Sequence, residues 1–140
     1  MESVIYFREA NSEDKSFIYN SYLKSQRQYF NLKNTEYFPI MHDRLDNFFK
    51  KGCTGVVAVD SSNPNIIIGY TLIINTEDKC IILFCYVKQM FRKNNIATAM
   101  LKAIKEVTNK PLVAVDKTLS FEKLMLIFNI QYNPFILEGV

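Results

Sequence analysis

The chain has no tryptophan, a single histidine and only three cysteines among its 140 residues. Neither His42 nor the scattered Cys53, Cys80 and Cys85 provide ligands at metal-binding spacing, so no metal is expected. The odd cysteine count, with Cys80 and Cys85 inside an apolar run, points to reduced thiols and a cytoplasmic home rather than a disulfide framework. No apolar run approaches the ~18–20 residues that a membrane span requires, and Met1-Glu2-Ser3-Val4 lacks the charged and apolar regions of a signal peptide. A soluble protein with no membrane partner is expected. Repeats, low-complexity tracts and Gly/Ser linkers are absent too, which leaves residues 1–140 as one domain, as the length favours.

What is present is ordinary for a globular chain: 49% hydrophobic and 22% charged residues, with 11 Phe and 8 Tyr enriching the core. The net charge of +3 can help draw in a polyanionic ligand but falls short of a dedicated nucleic-acid binder.

Val4–Arg8 alternates as a strand does, and Asn11-Ser12-Glu13-Asp14 supplies caps and first-turn acids for a helix carrying Phe17, Ile18, Tyr22 and Leu23. After a break at Lys33-Asn34-Thr35, the residues Ile40, Met41, Leu45, Phe48 and Phe49 recur at helical spacing until Gly52. Gly55–Asp60 and Ile66–Asn75 read as a hairpin around the turn Ser61–Asn65, and Thr76–Lys79 is a second turn. Cys80–Val87 is an unbroken apolar run, the pattern of a central strand covered on both faces. A third helix carries Ile96, Met100, Leu101, Ile104 and Val107, and closes at Asn109 and Pro111. A strand over Leu112–Val115, a helix over Leu119–Asn129 and a last strand over Gln131–Leu137, entered through Asn133-Pro134, complete the chain. The order β-α-α-β-β-β-α-β-α-β predicts an α/β (α+β) fold, a mixed central sheet flanked by helices.

Between Tyr86 and Leu101 a buried strand passes through a basic loop into a helix N-terminus. Free N–H groups and the helix dipole favour an anion there, and Arg92 and Lys93 add full charges. Written out, V-K-Q-M-F-R-K-N-N-I-A resembles the coenzyme A signature V-x-x-x-x-R-x-x-G-I-G/A of the GNAT N-acyltransferases. Val87, Arg92 and Ala97 match, and Asn95 stands where that family has Gly. Asn is the non-glycine residue that best tolerates a left-handed backbone, so the turn is expected to survive. Gly69 matches the recurring Gly of the family's third strand, and the element order is the GNAT order.

The resemblance implies acetyl-CoA lying in a splay beside Ile81–Val87. Backbone amides near Tyr86 and Val87 would hold the pantetheine and thioester carbonyl, and Arg92, Lys93, Asn94, Asn95, Ile96, Ala97 and Thr98 would surround the pyrophosphate. It also implies direct acetyl transfer to a primary amine on a small molecule, a protein or a modified base, and it leaves a homodimer open. The same stretch resembles that of small phage proteins. With Asn95 in the place of Gly and Phe128 in the place of the family's Tyr, this gives a second reading: a GNAT-fold module without catalysis, of phage origin, engaging a host protein or nucleic acid.

The catalytic groups are harder to place. Cys80–Val87 contains no carboxylate or imidazole, so Glu77, in the turn before it, is the candidate base, although Glu77 and Asp78 also read simply as a solvated turn. Phe128 stands where the family often has an acidic Tyr, which leaves Tyr132 as the candidate acid beside its simpler role in lining the sheet. Cys85 reads as an inert buried thiol, and His42, next to Asp43 and Arg44, as a surface histidine near the acceptor side. Aromatic and basic residues over Tyr22–Phe30 could stack on nucleic acid, but an amphipathic helix burying Tyr22, Leu23 and Phe30 is simpler.

Overall fold

The computed structural model of the chain describes residues 4–92 and 94–139. In chain order the elements are β1 (Ile5–Glu9), α1 (Lys15–Gln26), α2 (Asn34–Lys50), β2 (Thr54–Asp60), β3 (Asn63–Asn75), β4 (Cys80–Val87), α3 (Ile96–Thr108), β5 (Leu112–Ala114), α4 (Leu119–Ile127) and β6 (Gln131–Tyr132). This is the expected order.

The strands lie side by side as β1-β2-β3-β4-β5-β6. The first four pair antiparallel, β2–β3 and β3–β4 through tight turns and β1–β2 with α1 and α2 between them in the chain, whereas β4–β5 and β5–β6 are parallel, each joined by a helical crossover. Helices α1 and α2 cover one face, where Ile18, Tyr22, Tyr37 and Leu45 pack with Val57, Tyr70, Leu72 and Leu83. On the other face α3 and α4 bring Met100, Leu101, Ile104 and Met125 against Ile73, Ile82, Leu112 and Ala114. A strand sandwiched this way must be apolar on both sides, which explains the unbroken run of β4.

Entry into α1 is tied to β1. The Asn11 side chain accepts the Glu13 amide at 2.9 Å, and Asp14 accepts the Asn11 amide at 2.8 Å. Arg8 of β1 grips both Asp14 oxygens at 2.7 and 3.0 Å, and this guanidinium holds the nearly buried carboxyl below its ordinary range.

Several expectations need correction. Ile40 is 55% and Val107 86% exposed, so the buried stripe of α2 is Tyr37, Met41, Leu45 and Phe48, and that of α3 ends at Ile104. The turn expected over Ser61–Asn65 shrinks to Ser61-Ser62, because Asp60 accepts the Ser62 amide at 2.9 Å and pairs its own backbone with Asn63. The last helix stops at Ile127, followed by a left-handed Asn129. The final strand covers only Gln131–Tyr132: Asn133 accepts the Phe135 amide at 3.0 Å, Pro134 has no N–H to donate, and Ile136–Gly139 turns as a short 3-10 helix.

Candidate active site

Strands β4 and β5 run together only through Cys80–Leu112, Ile81–Val113 and Ile82–Ala114, with a last bond from the Val115 amide to the Ile82 carbonyl at 3.2 Å. Beyond that point they separate. The cause lies on the other edge of β4, where pairing with β3 jumps from Leu72–Phe84 to Ile73–Ile82 and leaves Leu83 as an extra residue. Such a bulge bends and twists its strand. Leu83 and Phe84 consequently both face α1 and α2, while Cys85 and Val87 face the α3 side.

The bend also redirects backbone groups. The Lys88 amide donates to the Ile68 carbonyl of β3 at 2.8 Å. By antiparallel alternation the polar groups of Tyr86 also point to β3, and those of Cys85 and Val87 point into the gap. The Val87 carbonyl there accepts Arg92 Nε at 2.8 Å. Gly69 makes the β3–β4 approach possible, since a Cβ at that position would stand 2.5 Å from the Tyr86 carbonyl oxygen.

The gap forms a cleft of about 510 Å³ between β4, the end of α1, the residues after β5, and α4. At one end α3 is entered through Asn95, whose φ of 58° and ψ of 27° are left-handed, the conformation expected of an Asn in a glycine position. Its carbonyl accepts the Ala99 amide at 3.0 Å, and the amides of Asn95, Ile96, Ala97 and Thr98 donate to no described residue. With the terminal nitrogens of Arg92 also unengaged among the described residues, this end can hold an anion.

Of the residues expected around a cofactor, Tyr86, Val87, Arg92, Asn95, Ala97 and Thr98 line the cleft. Asn94 is exposed beside it, and Ile96 buries its side chain in the core, so only its amide is available. Lys93 lies outside the described residues.

The two expected catalytic residues are not brought to the cleft. Glu77 is exposed in the turn before β4, roughly 20 Å from the open end at ~3.3 Å per strand residue. Tyr132 sits on β6, 45% exposed, with the Lys117 ammonium 5.7 Å from its ring centre, and does not line the cleft. Phe128 packs into the core beneath α4, whose cleft wall is Phe121, Leu124 and Ile127.

Cys85 lines the cleft, but burial pushes its thiol up to about 11, and Thr71 Oγ1 donates to its sulfur at 3.5 Å. His42 faces outward on α2, 3.3 Å from Asp46. The ligand-capable atoms of His42, Asp43 and Asp46 lie within 4.8 Å of one another, and none of the three lines the cleft. Within Tyr22–Phe30, Arg27 is spent on structure: it lies 4.7 Å from the Tyr37 ring centre and donates to Asn34 and to the Phe30 carbonyl.

Two functional candidates escape the sequence reading. Asp116, just past β5, is the one carboxylate among the described residues lining the cleft. Its available signal is an acid at the C-terminal end of a short parallel strand, where α/β sheets gather ligands. The Asp116 charge also acts on Tyr22, whose phenol is pushed up to about 12 by burial, with Arg44 opposing and Asp116 adding to the rise; Tyr22 therefore stays neutral. Gln26 is 4% exposed and lines the cleft, yet its side chain bonds to no described residue. Its signal is a polar residue at i+8 on the buried Ile18–Tyr22 stripe.

The family model described as the acetyltransferase (GNAT) family matches residues 16–118. Among solved structures, a GNAT-family acetyltransferase of Staphylococcus aureus Mu50 aligns with a TM-score of 0.64 at 17% identity, over 89% of this chain and 82% of that one. A predicted acetyltransferase of Clostridium acetobutylicum, crystallised with acetyl-CoA, gives 0.58 at 21% identity over 86% and 88%. The PaiA N-acetyltransferase of Thermoplasma acidophilum, in complex with coenzyme A, gives 0.56 at 16% identity over 76% and 72%. No curated protein matches in sequence.

Proposed function

The chain belongs to the acetyltransferase (GNAT) family, and on that premise we propose that it transfers the acetyl group of acetyl-CoA to a primary amine by direct attack on the thioester. The observation that carries the reading is the β4–β5 splay, whose open edge leads to the amides at the start of α3 that donate to no described residue. Two of the structural relatives are complexes with acetyl-CoA or coenzyme A, which supports the same ligand here.

In this reading the diphosphate sits at the amides of Asn95–Thr98, neutralised by Arg92 and Lys93. The pantetheine lies along β4, and the thioester carbonyl meets the amides of Cys85 and Val87, which hold the developing oxyanion. Acetyl-CoA supplies the activated acyl group. Asp116 takes a proton from the incoming ammonium, the freed nitrogen bonds to the carbonyl carbon, and the carbon–sulfur bond breaks. The Tyr86 phenol borders the cleft without a described hydrogen-bond partner, and it can protonate the departing thiolate while the nitrogen sheds its extra proton to solvent. Gln26 offers an amide donor and acceptor to the polar groups entering the cleft.

Titration calorimetry and thermal shift with acetyl-CoA test the reading. Binding in the micromolar range with a raised Tm is expected, and no binding at millimolar ligand removes it.

A further inference from the structure

A second cavity, of about 480 Å³, lies between α1 and the end of β4 and shares Ser25, Tyr86 and Arg92 with the cleft. Phe17 and Tyr86 give it aromatic walls, and Asn20 adds an amide. Its charge is one-sided. Lys24 and Arg92 line it, and the Lys88 ammonium stands 5.1 Å from the centre of the Phe17 ring. None of these three cations forms an ion pair among the described residues, and no Asp or Glu lines the cavity, although the chain has 14 acids. Unpaired cations around a concave, partly aromatic wall focus a positive potential into it.

Such a potential repels diamines and polyamines and attracts carboxylate or phosphate. It also disfavours the ammonium form of an amine held nearby, which enriches the nucleophilic free base. We propose that the acceptor is a primary amine carrying an anionic group, a carboxylate or a phosphate, which Lys24 holds in this cavity while the nitrogen points through the shared opening toward the cleft. The proposal rests on the acyl-transfer reading and names the substrate class of that site.

The test measures coenzyme A release from acetyl-CoA with β-alanine and O-phosphoethanolamine as acceptors that carry an anionic group, putrescine and spermidine as acceptors with further cationic groups, and phenethylamine as one with no second charged group. The two anionic amines separate carboxylate from phosphate recognition. An anionic amine should exceed both cationic ones in kcat/KM by about tenfold or more, and Lys24→Glu should lower its kcat/KM about tenfold while the KM for acetyl-CoA moves less than about twofold. Faster turnover of putrescine or spermidine, or a Lys24→Glu effect confined to acetyl-CoA, overturns the proposal. Calorimetry of the same amines into the protein loaded with coenzyme A separates the two readings. Anionic-amine binding that is lost in Lys24→Glu, without turnover, upholds the cavity and sinks acyl transfer. No binding of either anionic amine, with acetyl-CoA still bound, sinks the cavity and spares acyl transfer.

Discussion

Gly69 and Tyr86 lie so close across β3 and β4 that a Cβ on Gly69 would meet the Tyr86 carbonyl oxygen at 2.5 Å and the Val87 Cα at 3.2 Å. Both obstacles are backbone, so neither can swing aside. Gly69→Ala should therefore cost about 1–3 kcal/mol, read as a lowered Tm, and should weaken acetyl-CoA binding because β4 must shift. An unchanged Tm would show that the two strands part without cost.

Asn95 holds the turn into α3 in a left-handed conformation. Asn95→Gly should keep cofactor affinity or improve it, since the backbone need is still met and no side chain crowds the ligand. Asn95→Val should lose about 1–2 kcal/mol of stability and most of the affinity, because a branched side chain resists positive φ. Calorimetry with acetyl-CoA on both variants checks the contrast.

Arg92 both anchors the Val87 carbonyl, through Nε, and presents its terminal nitrogens at the mouth of the cleft. Arg92→Ala should weaken acetyl-CoA binding by about 1.5–3 kcal/mol with the fold intact. Arg92→Lys should rescue little, since one ammonium cannot reproduce the rigid fork of donors. Full rescue by Lys would mean that charge alone matters there.

Asp116 is the described carboxylate of the cleft wall. If it takes the acceptor proton, Asp116→Asn should lower kcat by about 10²- to 10⁴-fold and leave acetyl-CoA affinity within about twofold. Tyr132→Phe and Glu77→Gln should leave kcat unchanged, because neither residue reaches the cleft. Steady-state kinetics on the three variants decide among them.

The Arg8–Asp14 pair makes stability depend on acid. The folded pKa of Asp14 is depressed, so its contribution is complete above the unfolded value near ~4 and fades as pH falls through the lower folded value. Thermal unfolding between about pH 2 and pH 7 should show a shallower acid loss for Asp14→Asn than for the parent, with a lower Tm at neutral pH.

Much of this was legible in the residues. The period change from β4 to α3, the basic loop between them and Asn95 in a glycine position are local features, set by side-chain spacing and by the φ each residue tolerates. The capping run Asn11–Asp14 and the doubly covered β4 were readable for the same reason. The bulge at Leu83 was not, because an apolar run reads the same in every register, and only pairing with β3 shows which residue is extra. That one extra residue turns β4 away from β5 and opens the cleft. It also decides that Asp116 and Gln26, ninety residues apart in the chain, line one cleft while Glu77 and Tyr132 stay outside it. Sequence settles what each segment prefers by itself; which segments share a site depends on strand register and crossover, and these are fixed by packing between residues far apart along the chain.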